Sequence, residues 1–234
     1  MKIIKEGVVY QLVFLPHFFP VNCYLIEEDK ELTLIDTGLP NSYKGIIQAI
    51  KMIKKPLTNI ILTHAHADHV GSLDVLKKKF PHVSILISIR DSRLLMGDIS
   101  LDQNEPQTPI KGGIPKNIQT KPTHLLTEGD SIGSLEVINT PGHTPGSISL
   151  LETRTHSIIV GDALQTRGGI AVSGQIKPFF PFPAFATWNK QLAIHSAKKI
   201  SQLSPKLLAV GHGMMIKNPK NTMQKAIAQA EKIC

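Results

Sequence analysis

Apolar and β-branched residues fall in short runs at residues 8–15, 21–27 and 32–36, separated by the turn formers Pro16, Pro20 and Asp29. This pattern predicts consecutive antiparallel strands, so a sheet opens the fold. Beyond Asn41 and Ser42, the residues Ile46, Ile47, Ile50 and Ile53 recur at helical spacing until Lys54, Lys55 and Pro56 end the segment. A strand is expected at 58–63, a helix at 70–80 with Leu73, Leu76 and Phe80 on one face, and a strand at 83–89. Between residues 90 and 123 periodicity fails, and Pro106, Pro109, Gly112, Gly113, Pro115 and Pro122 leave room for only a short helix near 91–96 and a long loop. Loops of that length inside a domain are usually functional or mobile. Strands return at 134–139, 147–152 and 156–160, a second irregular stretch covers 167–186, and helices at 187–203 and 219–232 flank a strand at 206–210. Such alternation predicts a layered α/β fold, and the absence of a linker makes residues 1–234 a single domain.

Composition adds three constraints. With 41% hydrophobic and 19% charged residues the chain can bury a sizeable core. The 26 Lys and Arg against 18 Asp and Glu give a formal charge of +8, which favours an anionic small molecule, nucleic acid or an acidic surface as partner. No apolar run approaches the roughly 18 residues that cross a bilayer, and Lys2, Lys5 and Glu6 interrupt the start where a signal peptide needs apolar residues, so no membrane association and a cytoplasmic location are expected. Cys23 and Cys234 are too few for a disulfide framework and read as a core thiol and a tail thiol.

Candidate chemistry concentrates where the expected strand at 58–63 runs into His64-Ala65-His66-Ala67-Asp68-His69. Four ligand-type side chains within six residues, spaced by alanine at a strand-to-helix turn, can converge on a metal from different directions. With 10 histidines in 234 residues, that run is a rare accident of placement. His143, Asp162 and His212 also follow expected strands, each beside glycine, which permits the backbone bends needed to aim a side chain inward. Together they form a nitrogen and oxygen set, free of thiolate, that suits borderline divalent metals such as zinc.

On these residues the chain resembles the metallo-β-lactamase-fold hydrolase superfamily. Five signature motifs occur in order: Asp36 in Ile35-Asp36-Thr37-Gly38, the run from His64 to His69, His143, Asp162 and His212. The resemblance implies an αβ/βα four-layer sandwich with a binuclear metal site in a cleft at one edge. It implies that His64, His66 and His143 hold one ion, that Asp68, His69 and His212 hold the other, that Asp162 bridges them, and that Asp36 orients a ligand from outside. Two divalent ions are expected, zinc first, with iron or manganese as the other candidates. They would generate a metal-activated hydroxide at neutral pH, with Asp68 orienting it, so that no serine or cysteine nucleophile is needed and Ser147 and Ser149 read as strand.

The resemblance also narrows the substrate. Asp162 stands where the best-known zinc β-lactamases carry cysteine, which disfavours antibiotic hydrolysis. Only 22 residues follow His212, so the helical glutathione-binding domain of glyoxalase II enzymes, whose metal motifs are otherwise similar, is not expected, and a glutathione thioester is disfavoured while another thioester stays open. Gln165 stands where acyl-homoserine lactonases usually place tyrosine. Ribonuclease Z shares the metal motifs, but the loop at 90–122 offers cations without aromatic residues for stacking bases, so nucleic acid is disfavoured. Six of the eight phenylalanines lie in two Pro-rich stretches, 16–20 and 177–185. Phe18, Phe19, Phe179, Phe180 and Phe182, with His17 and Gln165, are therefore the candidate substrate pocket, a sandwich-edge or homodimer contact being the alternative use of the aromatic residues. Lys177, Arg167 and Lys111 are candidates to meet an anionic group. The expected function is hydrolysis of a small ester, thioester or lactone; a metal-dependent phosphodiesterase or ribonuclease is the alternative, and a non-catalytic metal-binding or redox member is a third reading.

Overall fold

The computed structural model describes residues 1–233; Cys234, expected as a tail thiol, lies outside the described residues. Four strands, β1 (Lys2–Glu6), β2 (Val9–Phe14), β3 (Val21–Glu27) and β4 (Leu32–Ile35), lead into α1 (Tyr43–Ile53), β5 (Leu57–Leu62), α2 (Ala67–Val70), α3 (Leu73–Lys79), β6 (Ser84–Ser88), α4 (Ile89–Leu95) and β7 (His124–Leu126). The seven strands form one sheet in chain order, antiparallel from β1 to β4 and parallel from β4 to β7. The rest of the chain supplies β8 (Ser131–Ile132), β9 (Leu135–Asn139), β10 (Ile148–Glu152), β11 (Ser157–Ile159), β12 (Leu164–Gln165), β13 (Ala171–Val172), α5 (Phe182–Phe185), α6 (Lys190–Gln202), β14 (Leu207–Ala209), β15 (Ile216–Lys217) and α7 (Lys220–Glu231). Here the sheet order is β15-β14-β11-β10-β9-β8, with β12 and β13 paired as a separate ribbon.

Side-chain alternation explains the layers. Successive strand residues point to opposite faces, so a strand apolar at every position must be covered on both sides. Ile35, Ile61 and Leu86 of the first sheet meet Val137, Leu150 and Ile159 of the second in a central core. Their neighbours Leu34, Ile60, Leu62, Ile85 and Ile87 face the opposite way and pack under α1, α3 and α4. Ile158, Leu208 and Val210 likewise turn outward beneath α6 and α7. Three apolar clusters thus separate four layers, helix, sheet, sheet and helix, which is the expected αβ/βα sandwich.

Three differences from the sequence expectation have local causes. Strand β1 has no apolar pattern in the sequence because Lys2, Lys5 and Glu6 interleave with Ile3 and Ile4; as an edge strand it needs only β2 as a partner. The helix expected at 70–80 is divided into α2 and α3, because Gly71 packs on the backbone of residues 38–40, where any Cβ would lie 2.7 Å from the Gly38 carbonyl oxygen. The Pro-rich stretch at 167–186, expected to be irregular, contains β13 and the single turn of α5. No helix among the described residues is long and apolar enough to cross a membrane.

The first sheet's open end is fastened by Glu27, whose carboxylate meets the Lys5 and Lys55 ammonium groups at 3.1 and 3.0 Å and accepts from the Tyr10 hydroxyl at 2.8 Å. Lys55 foremost, then Tyr10, holds its pKa down to about 2, against the opposing effect of burial. A carboxyl depressed on folding stabilises the protein above its unfolded pKa, and the benefit disappears as pH falls through the folded value. Glu27→Gln is expected to lower the Tm at pH 7 by about 2–4 °C, and the gap from the wild type, measured by calorimetry, to close as the pH approaches 2.

Candidate metal centre

The residues singled out by motif converge at one edge of the sandwich. Asp36 follows β4 and the run from His64 to His69 follows β5 in the first sheet, while His143, Asp162 and His212 follow β9, β11 and β14 in the second. His64, His66 and His143 bring one ligand-type atom each within 4.8 Å of one another, as do Asp68, His69 and His212, and His64, His69 and Asp162. Asp162 sits between the first two triads: its Oδ2 lies 3.3 Å from His143 Nε2 and 3.1 Å from His212 Nε2, and its Oδ1 lies 3.5 Å from His69 Nε2. Asp68 Oδ2 is 3.4 Å from His212 Nε2.

Hydrogen bonds behind the cluster fix which nitrogen of each imidazole faces inward. A neutral imidazole has one donor and one acceptor, so a nitrogen bound to an acceptor-only group must carry the proton. His66 Nε2 donates to the Lys111 carbonyl at 2.9 Å, His212 Nδ1 to the Pro20 carbonyl at 2.7 Å and His69 Nδ1 to Asp36 Oδ2 at 2.8 Å. The Thr63 hydroxyl spends its hydrogen on Asp36, so it accepts from His64 Nδ1 at 3.1 Å. His143 is set by a relay: Thr187 Oγ1 donates to the Pro183 carbonyl, Ser173 Oγ donates to Thr187, and His143 Nδ1 donates to Ser173 at 2.9 Å. The result is five lone pairs, on Nδ1 of His66 and Nε2 of the other four, pointed at one another.

That arrangement fits divalent cations and little else. His66 Nδ1 and His143 Nε2 stand 3.0 Å apart as two acceptors, a contact that needs a cation or an added proton between them. His64 Nε2, His69 Nε2 and Asp162 Oδ1 are buried without a hydrogen-bond partner, a state that costs several kcal/mol when uncompensated. Burial, aided by neighbouring imidazoles, pushes His64 and His143 well below the usual histidine range, so their lone pairs stay free. For His69 and His212 burial pulls in the same direction, but Asp162, with Asp36 or Asp68, outweighs it and raises both. The carboxylates that favour positive charge on these two rings would equally favour a cation between them.

Several supporting residues were not singled out by sequence. Asp91, buried in α4, accepts from the Ala65 amide at 2.9 Å, the Thr144 hydroxyl at 2.8 Å and the Gly146 amide at 2.8 Å, so one carboxylate clamps the turns carrying His64, His66 and His143. Burial lifts its pKa, against the pull of those three donors. An acid in the first turn of a helix is ordinary, so the sequence carries no sign of this role for Asp91. Asn22 and Gln11 had a visible signal, a polar residue within an apolar strand. Asn22 Nδ2 donates to the Val210 and Gly213 carbonyls at 2.8 and 2.7 Å, Gln11 Nε2 to Gly213 at 2.8 Å and Tyr24 OH to Val210 at 2.7 Å. Sheet one thereby grips both sides of His212. Glycine matters here for two reasons. Gly142, at φ +138, turns the chain before His143 against the backbone of α6, whereas Gly211 leaves the space in which a Cβ would collide with Asp162.

The expected substrate pocket is brought together only in part. Phe19 and Phe180 each lie 5.3 Å from the His212 ring by centroid, and Phe182 lies 5.1 and 5.3 Å from those two. Phe180 is 1% exposed, so it backs His212 instead of forming a lip, because the turn at 177–180 folds it inward. Phe18 and Phe179 are 85% and 89% exposed and Phe182 about half. His17 is exposed, with its carbonyl accepting from Arg167. Gln165 is buried, its Oε1 without a partner. Ser149 lies in β10 as expected, but Ser147 precedes that strand and caps the Thr144 amide at 3.0 Å.

A profile of the Metallo-beta-lactamase superfamily matches residues 17–212, and the chain belongs to that family. It is 62% identical over 232 residues, 99% of this chain and 100% of its counterpart, to "Uncharacterized protein YobT" of Bacillus subtilis (strain 168). It is 29% identical over 214 residues, 82% of this chain and 80% of the other, to "Probable metallo-hydrolase YflN" of the same organism. Among solved structures, "Metallo-beta-lactamase from Pontibacter korlensis" superposes with a TM-score of 0.74 at 16% identity, covering 98% of both chains, a likeness of fold. The chain is a metal-dependent hydrolase of this superfamily.

Because Asn22 holds two carbonyls that flank His212, Asn22→Ala is expected to leave the fold intact and weaken divalent-cation binding by about 10–100-fold. Competition against a chromogenic chelator, with circular dichroism as the fold control, measures this.

Proposed function

We propose that the protein is a binuclear zinc hydrolase of a small ester, thioester or lactone, its residues 1–234 acting as one domain. His64, His66 and His143 would hold one ion and Asp68, His69 and His212 the other, with Asp162 contributing between the two sets, its Oδ2 within 3.3 Å of a nitrogen from each. The observation that carries this reading is the inward lone pair on all five imidazoles beside a buried carboxylate with an unpartnered oxygen. A donor set of imidazole and carboxylate without thiolate suits zinc, and iron or manganese are the other candidates. When bound, such ions supply Lewis acidity, making water a better proton donor and withdrawing electrons from a carbonyl oxygen.

The protein's own groups do the rest. Asp68 is the one member of the cluster with a substantial exposed side chain, 25% accessible against 0–4% for its ionisable neighbours Asp36, His69, His143, Asp162 and His212. Its carboxylate can accept a hydrogen bond from an incoming water, aim it, and take its proton. Phe19 and Phe182 offer an apolar wall beside His212 that excludes bulk water and receives the hydrocarbon part of a substrate. Asp36, Ser173 and Thr187 keep the imidazoles from turning during the reaction.

A carbonyl substrate is favoured over a polynucleotide by the state of the long loop. Arg90 is paired with Glu105 at 2.6 Å, and Arg93 with Asp98 at 3.1 Å and Asp102 at 2.7 Å, so neither is free to track a phosphate backbone. The same loop folds onto His66 through the Lys111 carbonyl instead of standing off as a gripping arm.

Two zinc ions per chain are expected by metal analysis, and their removal by a chelator should lower the Tm by linkage. A panel of chromogenic esters, thioesters and lactones beside bis-p-nitrophenyl phosphate tests the substrate class; turnover of the phosphodiester alone would overturn it. His66→Ala and Asp162→Ala are expected to lower kcat by about a thousandfold or more with circular dichroism unchanged, and an unchanged kcat in either rejects the ligand assignment.

A further inference from the structure

The chain has four arginines. Three are held by carboxylates: Arg90 by Glu105, Arg93 by Asp98 and Asp102, and Arg154 by Glu28 and Glu152. Among the described residues Arg167 meets no carboxylate. Its Nη2 donates to the His17 carbonyl at 2.7 Å, which fixes the guanidinium at the wall of a cavity of about 410 Å³ between the loops at 15–20 and 166–168. Lys2, also in no ion pair among the described residues, and His17 line the same space, and no Asp or Glu does. Val13, Pro16 and Met214 supply an apolar side.

This combination selects for a ligand. A guanidinium anchored through one nitrogen keeps remaining N–H groups for an oxyanion, and that anchor reduces the ordering that binding must supply. Lys2 adds a mobile charge, and nothing acidic opposes either. An anion carrying a short hydrocarbon would place its head on Arg167 and its tail against Met214. The cavity adjoins the metal cluster without containing it: Pro20 lines it and its carbonyl receives the His212 Nδ1 proton, and Gly213 lines it directly after His212 in the chain.

We propose that this cavity is a binding site for a small amphiphilic anion, a carboxylate or phosphate monoester with a short apolar group, gripped by Arg167 and Lys2. The site stands on geometry independent of turnover, so its failure and that of the hydrolase reading are separable.

The test is a titration of the metal-loaded protein, labelled with [13C]methyl-methionine, by sodium hexanoate and by inorganic phosphate, with sodium acetate as the tailless control. Hexanoate is expected to shift the Met214 methyl signal saturably and to bind more tightly than acetate. Arg167→Gln, which retains a donor for the His17 carbonyl, should raise the Kd about tenfold, and Lys2→Gln, the second variant should the first not fold, should raise it by a smaller factor. A Met214 signal insensitive to both anions, or a Kd unchanged in both variants, overturns the proposal, as does perturbation confined to the imidazole signals of the metal cluster. Inhibition of ester turnover distinguishes the source: competitive inhibition identifies the anion as part of the substrate, and noncompetitive inhibition identifies a separate effector. Either pattern, lost in Arg167→Gln, supports the site.

Discussion

An acceptor stands behind every imidazole of the cluster, and the chemistry of the edge depends on it. Histidine offers two nitrogens of opposite character, and without a fixed partner the wrong one can face inward, turning a ligand into a proton donor. Here a carboxylate, a hydroxyl, a hydroxyl relay and two main-chain carbonyls set all five rings. As neutral rings they cannot satisfy one another, because all five inner nitrogens are then acceptors. The polypeptide thus folds into an arrangement that is incomplete by itself, and positive charge from outside completes it.

Maintaining that arrangement requires that strand ends from two different sheets stay in register. The central core alone, built from interchangeable aliphatic side chains, specifies volume and alternation more than position. Position comes from buried polar crosslinks. Asn22, Gln11 and Tyr24 reach from the first sheet to the carbonyls around His212, and Asp91 joins the His64 turn to the His143 turn. Each is costly to bury unpaired and specific once paired, so the polar minority aligns what the apolar majority holds together.

The layered fold was legible because its strands are apolar on both faces and its helices are amphipathic, which leaves few alternatives. The cluster was legible because His64, His66, Asp68 and His69 are adjacent in sequence and the remaining members sit at Gly-flanked strand ends. What was hidden had physical reasons. Strand β1 carries charges on an edge where they cost nothing, Asp91 has the appearance of a routine helix-start residue, and the carbonyls of Pro20 and Lys111 belong to the backbone, which carries no signature in the sequence. The aromatic stretches were recognised, but composition could not distinguish Phe180, folded inward behind His212, from Phe179, its exposed neighbour.

The two main-chain acceptors have an evolutionary consequence. Pro20 ends the hairpin loop at 15–20 and Lys111 lies in the long loop at 90–122, the segments that border the cluster from outside. Because the contact is made by a carbonyl, replacing the side chain at either position leaves the acceptor where it was; only displacement of the chain removes it. The loops are free to diversify in composition while remaining constrained in path, so new specificities can be explored through exchange of side chains more readily than through insertion or deletion at these two points.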